Sequence, residues 1–423
     1  MKMDSTSEEV SSSAWRTAGI DGASVRVLGA GILLYPVVAM FAPKAMVVLL
    51  GTIALLLLLD PANRRRAFAG LPRSVVMLVA ALAAWALVTV VWAPSPPASL
   101  NLWARFGAIT LCGFFVIASA SRLSKADRIT LEKALVVAAA LFVVLFGVEL
   151  FTGGFLNRHA IAVWNRLTPW ESPPPWPLTV LGRRSVALAV FAWPCALALY
   201  RRHSMGWAAA FVVVAAVGVF GQNMSASKVA FVAAMGVFAA AWVWPRYGGF
   251  AALAAVVATN LALFAGSPEF VALHRAGTMS IDLPISWQER VYIIDFALGK
   301  VAGQPVFGWG FDASRALGQD TPGPFPGNPA LPLHPHNLWV QLWLELGLAG
   351  VLLGLGLVFA LVRTIAARIG DRAAAAAALA SLFAYLVIGN ISFGVWQNWW
   401  LALAWLNAGF LAALIVPGKS APR

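Results

Sequence analysis

The stretch of this chain best suited to chemistry holds two histidines and a polar stripe. It begins His334-Pro335-His336-Asn337 and continues through Gln341, Glu345, Gly347 and Gly350. Pro335 restricts His334 to extended backbone, which puts a helix start at or just after His336. At a helix N-terminus the macrodipole disfavours an imidazolium, so His336 is expected to be neutral and able to take a proton as a general base. A lone histidine here would only cap the helix or anchor it at an interface. His334 and the stripe behind it favour the base. Asn337, Gln341 and Glu345 stand at i, i+4 and i+8 and share one helix face. At a membrane edge such a stripe faces protein or water, not lipid. Gly347 and Gly350 leave room for a neighbouring helix to approach closely.

A second group of residues could hold an anion. Arg158, Arg166, Arg183, Arg184, Lys228, Arg275, Arg290, Lys300 and Arg315 fall in segments that the charge-set topology places outside the cytoplasm. Positive charge is normally scarce there. Phosphate groups on a substrate would explain the excess, because guanidinium binds phosphate oxygens in bidentate fashion. Lys228 lies at a short turn, Arg290 on an amphipathic segment, and Arg105 near the outer end of the fourth apolar run, where it could line a cavity. For Arg158, Arg275, Lys300 and Arg315 the expectation is plainer: snorkelling toward headgroups or a surface ion pair. His334 and His336 are two apart, which suits no helical ligand pair, and no carboxylate cluster accompanies them, so neither a metal nor a cofactor is expected. No Ser-His-Asp signature or phosphate-binding loop is present.

The elements that must position these residues are membrane helices. Of 423 residues, 61% are hydrophobic and 11% charged, against about 25% charged in a soluble domain. Apolar runs of helical length lie near 25–42, 45–60, 74–93, 101–120, 129–151, 185–200, 206–222, 229–245, 249–266, 338–362, 373–393 and 398–416. They predict an all-α polytopic membrane protein of about 12 transmembrane helices. With a cytoplasmic N-terminus, the connections after every second helix are short and basic, among them Arg64–Arg66, Arg122–Arg128, Arg201–Arg202 and Arg363–Arg372. That is the positive-inside pattern, so the net charge of +13 sets topology rather than signalling nucleic acid. Cys112 and Cys195 lie inside apolar runs, which gives no disulfide framework.

The expected organisation is a flexible cytoplasmic tail over 1–23, then nine helices over 24–266 interrupted by an outer loop at about 152–184. A long outer loop over 267–336, three helices over 337–416 and a short tail over 417–423 complete it. In the long loop Trp287, Val291, Ile294, Leu298 and Val301 follow a helical period, predicting a helix on the membrane surface or on the bundle. Six prolines between Pro322 and Pro335 stiffen the return into the membrane. An interfacial aromatic belt accounts for most of the 19 tryptophans.

His336-Asn337, nine residues, then Gly347-x-x-Gly350 resembles the O-antigen ligase family of bacterial inner membranes. The resemblance extends to the late position of the motif after a long loop and to an arginine on the loop helix, here Arg290. A weak Arg-x-x-x-Leu match falls at Arg184 and Leu188. The resemblance implies a glycosyltransferase of the GT-C type working on the periplasmic side without nucleotide or metal. Its donor would be O-antigen on undecaprenyl diphosphate and its acceptor lipid A–core, both entering from among the membrane lipids. His336 would take the acceptor proton. Arg290 would hold the diphosphate with Arg184 or Lys228, and Arg105 and Arg166 are further candidates. O-antigen polymerases and protein O-oligosaccharyltransferases share the loop region and the donor. A lipid-linked glycan transporter is the alternative of another class, but it should carry ionisable residues at helix midpoints, and here they cluster at the outer boundary.

Overall fold

A computed structural model of the chain describes residues 22–167, 178–278, 283–325 and 327–415. Both expected tails fall almost wholly outside these residues. All twelve apolar runs fold as helices. The first half comprises α1 (Gly22–Phe41), α2 (Met46–Leu58), the short α3 (Pro61–Arg65), α4 (Arg73–Thr89), α5 (Pro96–Ser121), α6 (Lys125–Phe151) and α7 (Phe155–Leu167). After these come α8 (Leu178–Arg202), α9 (Met205–Phe220), α10 (Ser225–Val243) and α11 (Gly248–Arg275). The last four are α12 (Ile285–Gly303), α13 (Leu338–Arg368), α14 (Arg372–Gly389) and α15 (Asn398–Leu414). Among the described residues there is no strand, only a lone bridge between Pro322 and Pro329. Among the described residues eight helices are long and apolar enough to cross a membrane, and α2, α9 and α15 are apolar but shorter. The chain is an all-helical, multi-pass membrane protein.

Small residues decide which helices meet. α14 opens with Ala373 to Ala378, all buried, so α8 and α10 close directly onto its backbone. Between α5 and α15, Gly113 receives the ring of Trp405, and a Cβ at Gly113 would lie 2.2 Å from Trp405 Cδ2. Tyr35, Phe142, Phe191 and Phe410 meet at the centre of the largest apolar cluster, with Tyr35 stacked on Phe191 at 4.2 Å.

The basic connections gather at one end. Arg122 donates to Arg66 O at 2.5 Å and to Asn63 Oδ1 at 3.1 Å, joining the α3 and α5–α6 turns. Arg128 donates to the carbonyls of Ala413 and Ile415, at and beyond the last turn of α15. Arg201, in the last turn of α8, pairs with Glu132 at 3.3 Å and with Asp371, the N-cap of α14, at 2.5 Å. Connections expected on one side of the membrane therefore touch one another.

The opposite end differs from expectation in its boundaries. α11 continues through Pro268 to Arg275, past residue 266, and the segment at 152–184 contains α7 and the start of α8. The periodic segment is α12, and it lies on the bundle: Ile293, Ile294, Ala297 and Val301 pack against Val340 and Leu344 of α13. Tryptophans there do more than mark an interface. Trp92, Trp309 and Trp343 donate to the carbonyls of Gly308, Lys300 and Pro305, so their indoles hold loop backbone in place.

Candidate active site

The polar stripe of α13 is a scaffold. Asn337 caps the helix, its Oδ1 accepting from the N–H groups of Trp339 and Val340 at 3.0 Å each. Its amide also donates to Asn260 Oδ1 of α11 at 2.8 Å. Gln341 donates to Glu345 at 3.0 Å and accepts from the N–H of Val395 at 2.9 Å. Glu345 is fully buried and accepts from Trp396 Nε1 at 2.6 Å, from the N–H of Asp312 at 3.0 Å and from the Ser314 hydroxyl. These donors make a buried carboxylate tolerable. They also tie α13 to the loop at 312–314 and to the connection after α14.

Gly347 interrupts α13 at φ 66° and ψ −164°, a region essentially closed to other residues. The helix therefore consists of a short piece up to Leu346 and a longer one beyond it. Three carbonyls at the break find partners outside the helix. Leu344 O accepts from the N–H of Trp309, Glu345 O from that of Gly310, and Leu346 O from Trp85 Nε1 at 2.8 Å. What approaches Gly347 is the loop at 305–308 rather than a neighbouring helix, since a Cβ would lie 2.0 Å from Val306 O. At Gly350 the close neighbour is Leu346 of the short piece, whose Cβ would stand 2.3 Å from a Cβ added there. The motif's two glycines thus fold the helix back on the loop and on itself.

His336 lies just before the N-cap with φ 55°, a left-handed conformation that histidine and asparagine adopt more readily than most side chains. Its Nδ1 is 2.7 Å from Ser392 O. A carbonyl only accepts, so the proton of the neutral ring resides on Nδ1 and the Nε2 lone pair is left available. Burial, then the charge of Arg290, push the His336 pKa down to about 4, opposed by the Ser392 carbonyl. His334 is buried beside it, ring centroids 4.3 Å apart, and its Nδ1 accepts from the His336 N–H at 3.3 Å. Its Nε2 lies 3.1 Å from the Gln397 amide. Burial and the neighbouring charges push its pKa to about 3, and both ring nitrogens are engaged, so His334 positions backbone and ring.

Arg290 enters from α12. Its Nε donates to Ile391 O at 2.8 Å and its Nη1 to Ser286 O. Burial lowers its pKa, partly offset by Glu289. Adjacent carbonyls, Ile391 and Ser392, thus hold the candidate cation and the candidate base side by side. Arg290 also lines a hollow of about 190 Å³ with Ser286, Trp287, Asn223, Ser225 and Ile391. Among the described residues no three histidine, cysteine, aspartate or glutamate side chains come together as a metal site would need.

The other expected cations do not converge on that hollow. Arg184 is 1% exposed, pairs with Glu149 at 3.1 Å and bonds Asn157 Oδ1. Lys228 is half-buried in the first turn of α10, near Ser225 but not lining the hollow. Arg105 and Arg166 are exposed and likewise do not line it. Arg315 pairs with Asp312 at 2.8 Å, Arg275 lies over Tyr292 and Lys300 over Phe296, and Arg158 bonds Thr152 O, all in keeping with surface roles. Sequence reasoning missed the carbonyls of Ile391 and Ser392, which carry no side-chain signal, and Gln397 beside His334.

Residues 210–355 match the family model described as O-antigen ligase. The chain carries an O-antigen ligase family domain. Arg290, His334, His336 and the stripe through Gly350 all fall inside the matched segment. No curated protein matches the chain. The match points to glycosyl transfer of the ligase or polymerase type by a membrane enzyme acting on lipid-linked polysaccharide.

Proposed function

We propose that this O-antigen ligase family member moves O-antigen polysaccharide from undecaprenyl diphosphate to lipid A–core. It would do so at the periplasmic face of the bacterial inner membrane, as a GT-C-type enzyme crossing the bilayer twelve times. The carrying observation is that Ile391 O and Ser392 O hold Arg290 and His336 side by side at the end of the molecule opposite the basic connections. The acceptor hydroxyl attacks the anomeric carbon of the donor's first sugar from the face opposite the diphosphate. As that carbon–oxygen bond forms, the bond to the diphosphate oxygen breaks, the configuration inverts, and His336 Nε2 takes the hydroxyl proton. The electron pair leaves with the diphosphate, whose negative charge Arg290 stabilises without a divalent ion. His334, Asn337, Gln341 and Glu345 fix His336 through the cap and the buried network.

The test uses purified protein in detergent, with chelator and without nucleotide, given undecaprenyl-diphosphate-linked glycan with and without lipid A–core. Glycan on lipid A–core, and its loss in His336→Asn, are expected. Asparagine tolerates the left-handed backbone, so it removes the base without straining the loop. Lengthened lipid-linked glycan made without lipid A–core would mean a polymerase, and no product under conditions where a related ligase works would revive the transporter.

A further inference from the structure

A second cavity adjoins the Arg290 hollow and takes no part in the proton transfer or the diphosphate contact. It has a volume of about 210 Å³ and is lined by Glu149, Gly153 and Gly154 at the end of α6 and by Gly221, Gln222 and Asn223 before α10. Asn223 lines both spaces. Two of its polar side chains are more than nine-tenths buried, and one of them has hydrogen-bonding capacity unspent. Glu149, 4% exposed, accepts at Oε1 from Arg184 and from the N–H of Asn157, both at 3.1 Å, while Oε2 is buried without a partner. Gln222, 7% exposed, adds a second buried polar side chain to the lining. Leaving an oxygen such as Glu149 Oε2 unpaired is costly, so it implies a ligand that bonds it.

Their chemistry narrows the ligand. Arg184 already neutralises Glu149, so the pair adds no net charge and gives no attraction to a phosphate. The free Oε2 lone pairs repel an anion and call for a donor. A carboxylate oxygen beside two carboxamides, which both donate and accept, matches the hydroxyls of a sugar. Three glycines keep the rim free of side chains, so a ring can lie against backbone. The volume is below the ~300–1,000 Å³ of sites that enclose a drug-sized ligand, which suits one ring and not a chain.

We propose that this cavity is a subsite for one neutral sugar ring next to the diphosphate hollow, an assignment that rests on Arg290 holding the donor diphosphate. The ring would belong either to the first sugar of the donor or to the acceptor. The experiment measures binding to protein in nanodiscs of two lipids: bare undecaprenyl diphosphate, and the same lipid carrying one hexose or N-acetylhexosamine. It also measures KM for lipid A–core in transfer. Gln222→Ala and Asn223→Ala, both at a turn, are the variants. Each is expected to weaken the sugar-bearing lipid about tenfold, as one or two lost hydrogen bonds would, and to leave the bare lipid unchanged. A tenfold rise in KM for lipid A–core with donor binding intact would instead assign the same subsite to the acceptor sugar. Equal weakening of both lipids, or no change in any arm, overturns the subsite. If bare undecaprenyl diphosphate fails to bind the wild-type protein, the role of the Arg290 hollow falls first and takes this one with it.

Discussion

His336, its pKa pushed down to about 4, is neutral across the whole physiological range, and its strength as a base depends on what Arg290 faces. Burial is the larger cause of the depression and the Arg290 charge the second. A bound diphosphate would offset that charge and let the His336 pKa rise, so the base strengthens when the donor is present. The sign follows directly. Transfer needs His336 unprotonated, so activity is lost as pH falls through its pKa. The acid limb of kcat/KM, which reports the free enzyme, is expected near pH 4, and the limb of kcat should lie at higher pH. Rate profiles between about pH 4 and 8 in detergent check this, within the range where the protein stays folded. Limbs at the same pH would mean that Arg290 and the diphosphate do not meet beside His336.

At the scale of the element, the break in α13 is what brings His336, the loop and the connection after α14 together. Gly347→Ala would force a side chain into a conformation costing about 1–3 kcal/mol and drive a Cβ into Val306 O. Lower thermal stability and loss of transfer are expected, whereas Gly356→Ala on the same helix, with Leu78 no nearer than 3.4 Å, should behave as wild type. Thermal unfolding of both variants in detergent decides it; a wild-type Gly347→Ala would show the break to be dispensable. The break was not legible in the sequence, because small residues three apart inside an apolar run read equally well as a helix-packing face. The apolar runs themselves were legible, since length and hydropathy are enough to set a membrane helix. His336 and Arg290 were legible as a histidine at a helix start and an arginine on an amphipathic period. Their neighbourhood was not, because it depends on main-chain carbonyls. The ion pair of Arg184 was not legible for a similar reason: its partner Glu149 is distant in sequence, and the fold alone joins them.

For the whole molecule, charge and chemistry are at opposite ends. Arg122, Arg128 and Arg201 clip the turns after α3, α5 and α8 to one another and to the ends of α14 and α15. Each clip ties an arginine to carbonyls or carboxylates of another segment, so the basic end is held together as a unit, and the positive-inside rule would keep that end on the cytoplasmic side. The end bearing Arg290 and His336 instead is assembled around loop backbone, and both lipid substrates would have to reach it on that side. This orientation is testable with single cysteines at exposed positions: Asp320→Cys near the site and Arg65→Cys in the basic end, in a background where Cys112 and Cys195 are replaced by alanine. In intact spheroplasts a membrane-impermeant maleimide is expected to label position 320 and to reach position 65 only after lysis. The reverse pattern would put the site on the cytoplasmic face, where the donor assignment and the role given to the arginines would both have to be abandoned.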